Sequence, residues 1–407
     1  MFESDFFAGN RARLRQLFTG TAPIIVTANG RLQQTSDEAY AFTQDSNFWY
    51  LTGIDEPDVI LVMEQNKEYL ILPERSMVSD IFDGAINPEE LSRISGIKEV
   101  YSERDGWKNF SSRLKRLRHV ATLGANPAYL DTFGMYSNPA RATLIHSLKE
   151  YNANVELLDI RLHLARLRMV KQKSELAAIQ KAIDITLDTL KTVSRPSSLK
   201  KYAYEYEIEA DIYRGFRRQG ARGHAFTPIV AAGSHAVVLH NIANEGKLAS
   251  DELLVADVGA QYDHYAADIT RTLDLGNAPK RAHNVHAAVV EVYEYACSLI
   301  KPGVLIRDYE KAVETFMGEK LRELGLIKVI DREEVRKYFP HATSHYLGLD
   351  THDVGDYERP LEPGIVMTVE PGIYIPEEGI GVRVEDDVVV TKTGIEVMSA
   401  RLPLALS

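Results

Sequence analysis

The stretch Leu253-Leu-Val-Ala-Asp257-Val-Gly-Ala-Gln-Tyr-Asp-His-Tyr-Ala-Ala-Asp268-Ile-Thr-Arg-Thr272 reads as two strands around a polar turn. Leu253-Leu-Val-Ala is apolar at every position, the pattern of a strand buried on both faces, yet it runs straight into a carboxylate. A charge placed there needs a counter-charge or a metal. With the turn centred on Tyr262-Asp263, Asp257 stands directly opposite Asp268, and directly opposed residues have Cβ atoms about 4.5–5.5 Å apart. Paired metals in hydrolases sit about 3.5–4 Å apart, so such a pair could grip both. Taken alone, the two acids fit a solvated hairpin equally well.

A second acidic pair lies in Val369-Glu370-Pro-Gly-Ile-Tyr374 and Gly381-Val-Arg383-Val-Glu385-Asp-Asp. A connection centred on Glu377-Glu378 sets Glu370 opposite Glu385. Val382 and Val384 alternate with Arg383 and Glu385, so the two charged residues share one face. The arginine is placed to steady an acidic ligand, although a surface hairpin with an Arg–Glu ladder gives the same pattern. Between the pairs runs Phe339-Pro-His341-Ala-Thr-Ser-His345-Tyr-Leu-Gly-Leu-Asp-Thr-His352-Asp-Val-Gly, with three of the chain's 12 histidines in one short segment. Imidazole is the commonest nitrogen ligand for metals. His240, after Val-Val-Leu, also ends an apolar run where a cleft is expected. Four carboxylates and one imidazole form an oxygen-rich set suited to Mn²⁺, with Co²⁺, Fe²⁺ and Zn²⁺ as alternatives, and unlike a structural zinc site. Neither a His-Glu-x-x-His word nor a Gly-x-Ser-x-Gly elbow occurs.

The rest of the chain bounds these readings. Its 407 residues imply at least two cores. A net charge of −11 gives no electrostatic footprint for nucleic acid. The single cysteine, Cys297, excludes an internal disulfide and reads as a core thiol in a helix. The amino-terminal residues lack a basic segment followed by an apolar run, and no stretch is long enough to span a bilayer. No membrane partner is expected, and the cytoplasm is the expected compartment.

The first part alternates short strands with helices, without a phosphate-binding glycine loop, which argues for an α/β domain. The pattern changes near the basic stretch Leu158–Lys173, where Ser174 reads as the N-cap of a long helix. The expected division is residues 1–164 and 165–407.

The words Asp257…Asp268-Ile-Thr-Arg-Thr, His341-x-x-x-His345-x-Leu-Gly-Leu-Asp-x-His352-Asp-Val-Gly, Thr368-Val-Glu370-Pro-Gly-Ile-Tyr and Gly381-Val-Arg383-Val-Glu385-Asp-Asp together resemble the pita-bread metallopeptidases. That group includes methionine aminopeptidase, aminopeptidase P and prolidase. Ser36-Asp37-Glu-Ala-Tyr-Ala-Phe-Thr-Gln44-Asp-Ser46-Asn-Phe48-Trp49-Tyr50-Leu-Thr-Gly53 is similar to the stretch that marks aminopeptidase P. The resemblance implies an α/β (α+β) fold class: a creatinase/aminopeptidase P-like amino-terminal domain followed by a catalytic pita-bread domain. It further implies a dinuclear exopeptidase that removes the residue preceding a proline at the second position, by attack of a metal-bridging hydroxide. Prolidase, which cleaves only Xaa-Pro dipeptides, is the alternative. A pita-bread protein kept for binding alone is a third reading.

By the same resemblance, Asp257, Asp268, His345, Glu370 and Glu385 hold two divalent ions per subunit. Asp268 and Glu385 bridge them, Asp257 chelates one, and His345 with Glu370 the other. Glu370 moves the proton, while His240 and His352 contact the substrate. His341 shapes the proline pocket, Tyr374 and Arg383 orient Asp257, and Asp37 approaches the substrate's amino end. The family also implies a homodimer or homotetramer. Phe82-Asp-Gly84 stands where relatives commonly carry Trp-x-Gly.

Overall fold

Ile24–Thr27 is four residues of high strand propensity, every one of them buried. In the computed structural model, which describes residues 2–124 and 134–406, it lies near the middle of a six-stranded sheet. The order is Glu99–Ser102, Glu68–Leu72, Ile60–Met63, Ile24–Thr27, His119–Thr122, Glu156–Asp159. Ile60–Met63 runs antiparallel to both of its neighbours, and the remaining pairs are parallel. Phe110 and Leu114 from one helix, with Leu144 and Leu148 from another, pack on Ile25, Val62 and Ile71. This sheet belongs to the first of two compact units, Met1–Leu167 and Arg168–Ser407.

Helices Ser46–Thr52 and Met77–Asp83 are not apparent in the sequence. Seven residues are too few for a 3.6-residue period to declare itself, and both begin on local caps. Asp45 accepts the amides of Asn47 and Phe48, and Ser76 accepts that of Ser79.

In the second unit the long helix begins at Lys173, not after Ser174, and runs to Val193. Glu175 reaches back to accept the Gln172 amide at 2.8 Å, so the start is fixed two residues earlier. Helices Lys280–Leu299 and Ile306–Glu323 supply Val289, Val292 and Met317 to the main apolar core. Against them lie Met367, Val369, Val382 and Val384. The period of two then turns Thr368, Arg383 and Glu385 away from that core. Cys297 packs beside the same core, and burial pushes its thiol up to about 12, as suits an inert packing residue.

Candidate metal centre

The first hairpin is shifted from its expected register. Asp257 pairs with Thr270, not Asp268. The turn is Asp263-His264, one residue later than the sequence suggested, and both residues adopt positive φ (45° and 70°). This is the twist that a two-residue hairpin turn demands. Asp257 and Asp268 therefore become diagonal neighbours on one face. Gly259 allows the crossing, since a Cβ there would lie 1.6 Å from the Ala267 carbonyl oxygen. The second hairpin keeps its expected register. Gly372 pairs with Arg383 and Val369 with Asp386, which leaves Glu370 facing Glu385 across the ladder.

These strands bring their charges into one cluster. Ligand atoms of Asp268, His345 and Glu385 lie within 4.8 Å of one another. His345 Nε2 is 3.4 Å from Glu370 Oε1 and 3.5 Å from Asp268 Oδ2. The other nitrogen, Nδ1, lies 3.0 Å from the Tyr346 carbonyl. A carbonyl only accepts, so Nδ1 carries a proton and Nε2 is the nitrogen that faces the two carboxylates. Asp257 Oδ1 and Asp268 Oδ1 are buried without a hydrogen-bond partner.

Burial, and then the charges of Asp257, Asp387 and Glu370, raise the Asp268 carboxyl well above its ordinary range. Burial followed by Asp268, Glu370 and Asp257 does the same to Glu385. The Glu370 carboxyl is pushed up to about 7, chiefly by burial. Acidic oxygens gathered around one imidazole nitrogen, two of them without a hydrogen-bond partner, are a donor set that cations can satisfy. The residues fit a pair of divalent ions.

Around this set runs a chain of hydrogen bonds. Arg383 Nη2 donates to Asp257 Oδ2 at 2.5 Å, and Nη1 to Tyr374 Oη at 2.7 Å. Tyr374 in turn lies 2.9 Å from His341 Nε2, whose Nδ1 is 2.8 Å from the Ala342 carbonyl. That carbonyl fixes the proton on Nδ1, so the Tyr374 hydroxyl is the donor to Nε2. Tyr374 thus meets Arg383 and His341, and Arg383 alone of the two touches Asp257.

Burial, then Arg383, lowers His341 to about 3, and burial, then His345 and His240, lowers His352 to about 4. Both are neutral near pH 7 and available as hydrogen-bond partners. The His352 ring stands 4.3 Å from that of His345. His240 is exposed and close enough to bias the charging of His341 and His352. Asp37 lies in an exposed bend of the first unit, next to the bridge between Gln33 and Ala39.

Three polar neighbours escaped the sequence reading. Thr270 Oγ1 donates to Glu385 Oε2 at 2.6 Å and accepts from Arg383 Nε at 3.3 Å. Thr368 Oγ1 donates to Glu370 Oε1 at 3.3 Å while receiving the His345 amide at 3.2 Å. The buried Asp387 accepts the Asp268 amide at 3.1 Å. Their one signal was parity: Asp268 and Thr270, like Thr368 and Glu370, are two residues apart on one strand face.

The model of metallopeptidase family M24 matches residues 177–392, and that of the aminopeptidase P N-terminal domain matches residues 7–121. An Xaa-Pro aminopeptidase of Haemophilus influenzae is 31% identical over 98% of this chain and 94% of its own. The low-pH form of Escherichia coli aminopeptidase P superposes with a TM-score of 0.84 at 29% identity, covering 100% of this chain and 97% of that one. Zinc-substituted E. coli aminopeptidase P in complex with product is similar at a TM-score of 0.83 and 29% identity, over 100% and 96% of the two chains.

Proposed function

The chain belongs to metallopeptidase family M24, is a metallo-aminopeptidase with the pita-bread fold and an aminopeptidase P amino-terminal domain, and we propose that it removes the first residue from peptides with proline in second place. The observation that carries this reading is the grouping of Asp268, His345 and Glu385, with Glu370 against His345 and the Asp257 charge acting on Asp268, beside three neutral or exposed histidines.

Asp257, Asp268, His345, Glu370 and Glu385 would hold two divalent ions, Mn²⁺ by the hardness of the donors, with Co²⁺, Fe²⁺ or Zn²⁺ also compatible. When bound, these ions supply Lewis acidity and a water of lowered pKa. The protein's own groups do the rest. Glu370, which receives the Thr368 hydroxyl, takes a proton from the attacking water and returns it to the departing proline nitrogen. Neutral His352 and exposed His240 would contact the substrate carbonyl and its developing charge. Arg383 holds Asp257 in place through its Nη2, and the hydrogen-bonded Tyr374–His341 pair would wall the proline side.

Release of glycine from Gly-Pro-Pro by Mn²⁺-loaded protein tests the reading. Cleavage of the tripeptide is expected. Hydrolysis of Gly-Pro with an untouched tripeptide would make the protein a prolidase instead.

A homodimer or homotetramer is part of the proposal. Met77, Val78, Ile81 and Phe82 are 61–83% exposed on a helix that buries none of its residues, a patch of the kind that marks an interface. No helix among the described residues is long and apolar enough to cross a membrane. The lone cysteine suits a reducing compartment, and we propose the cytoplasm.

A further inference from the structure

Between His345 and His352 the chain reverses, bringing the two rings to 4.3 Å. The reversal is closed by its own backbone, the Asp353 amide donating to the Tyr346 carbonyl at 2.8 Å and the Gly348 amide to that of Asp350 at 3.1 Å. His352 itself stands exposed at the tip. The next residue is the opposite. Asp353 has a side chain only 1% exposed, and its two oxygens are divided between two equally buried cations.

Arg168 Nη2 donates to Asp353 Oδ1 at 2.5 Å, and Lys171 Nζ to Oδ2 at 2.8 Å. Lys171 Nζ also donates to the Arg168 carbonyl at 2.6 Å, and Arg168 Nη2 reaches Asp350 Oδ2 at 2.8 Å. The Lys171 amide is bonded to the Gly364 carbonyl at 2.9 Å, so the cations are fixed to the unit from below. Gly348 presses on the group so closely that a Cβ would lie 2.1 Å from Asp353 Oδ2 and 2.8 Å from Lys171 Nζ.

Burying three charges is poorly explained by stability, because an apolar replacement of such a network is often neutral or better. What the network offers is a single geometry. Each carboxylate oxygen has its own cation in its own direction, so the turn has no second register.

We propose that Arg168, Asp353 and Lys171 form a latch that positions His352: by pinning the residue next to it, they hold the imidazole against that of His345 at the carboxylate cluster. Asp353 is then a positioning residue. The proposal rests on His352 being a substrate-contacting group, as read above.

The test is a double-mutant cycle on metal-loaded protein, with Gly-Pro-Pro as substrate. His352→Ala is expected to lower kcat by about 10²-fold, the scale of a lost acid–base or hydrogen-bonding group. Asp353→Asn should lower kcat by about 10-fold or more, with KM and Mn²⁺ affinity kept within about 3-fold. The double variant should fall within about 3-fold of His352→Ala alone, because the latch works only through that imidazole. Lys171→Gln leaves Asp353 paired with Arg168. It should show a smaller kcat loss that also vanishes in the His352→Ala background, and it decides the matter if Asp353→Asn does not fold. Losses that multiply in the double variants, alongside an impaired His352→Ala, would overturn the latch alone. Full activity of His352→Ala would overturn the assignment of His352, and the latch with it.

Discussion

Glu370 sits where three demands meet. Its Oε1 is 3.4 Å from His345 Nε2 and receives the Thr368 hydroxyl, while Oε2 is 3.8 Å from His341 Nδ1. In the metal-free protein burial pushes its carboxyl up to about 7, and its place between these partners suits a proton carrier. Replacing Glu370 with Ala removes that proton carrier and a candidate ligand together. Turnover of Gly-Pro-Pro should fall by at least about 10²–10⁴-fold. One of two Mn²⁺ binding steps should weaken in calorimetric titration, with circular dichroism unchanged. Full turnover in this variant would remove Glu370 from the chemistry. At this scale the acids were legible, because a charge that ends an apolar run declares itself. The threonines were not: threonine is an ordinary strand residue, and nothing in Thr270 or Thr368 announces a hydroxyl aimed at a carboxylate.

Register decides which of those residues meet, and register is a property of the elements. The hairpin Glu370–Glu385 was readable because its turn, Glu377-Glu378-Gly379, has only one plausible centre, with Gly379 at φ 62°. The hairpin Asp257–Asp268 was not. Its polar segment Gln-Tyr-Asp-His allows two centres, and a one-residue change of centre moves every pairing by two. Residues with positive φ are uncommon outside glycine, and Asp and His are among the tolerated types. That tolerance, invisible to hydrophobic periodicity, selected Asp263-His264. Gly259 completes the geometry by letting the Ala267 carbonyl approach its α-carbon. Gly259→Ala must displace backbone and should cost about 1–3 kcal/mol or more, the scale of core overpacking. Because Asp257 and Asp268 flank the contact, Mn²⁺ affinity should fall as well. Gly9→Ala, with nothing within 4 Å, serves as the neutral control. Equal melting temperatures and metal affinities for the two variants would refute this role of Gly259.

Across the whole molecule the same carboxylates set the pH response. Asp268, Glu370 and Glu385 have raised carboxyls in the folded, metal-free protein. Between the ordinary carboxylate range near ~4 and the value of about 7 for Glu370, the folded state therefore binds more protons than the unfolded one. Stability contributed by these groups is lost as pH rises through that window. Divalent ions replace the protons, so the gap in melting temperature between Mn²⁺-loaded and chelated protein should widen from about pH 5 to about pH 7. A gap that is constant or narrows would contradict the site's electrostatics. The alternation of strands and helices was enough to read an α/β chain, since periodicity reports burial. It could not report which strand ends converge, because that depends on long-range packing of helices Lys280–Leu299 and Ile306–Glu323 beneath them. The convergence is tested most directly by titrating Mn²⁺ into chelated protein while following Gly-Pro-Pro hydrolysis. Activity should be absent at the start and saturate near two ions per chain, whereas undiminished activity in the chelated protein would contradict a dinuclear metallo-aminopeptidase.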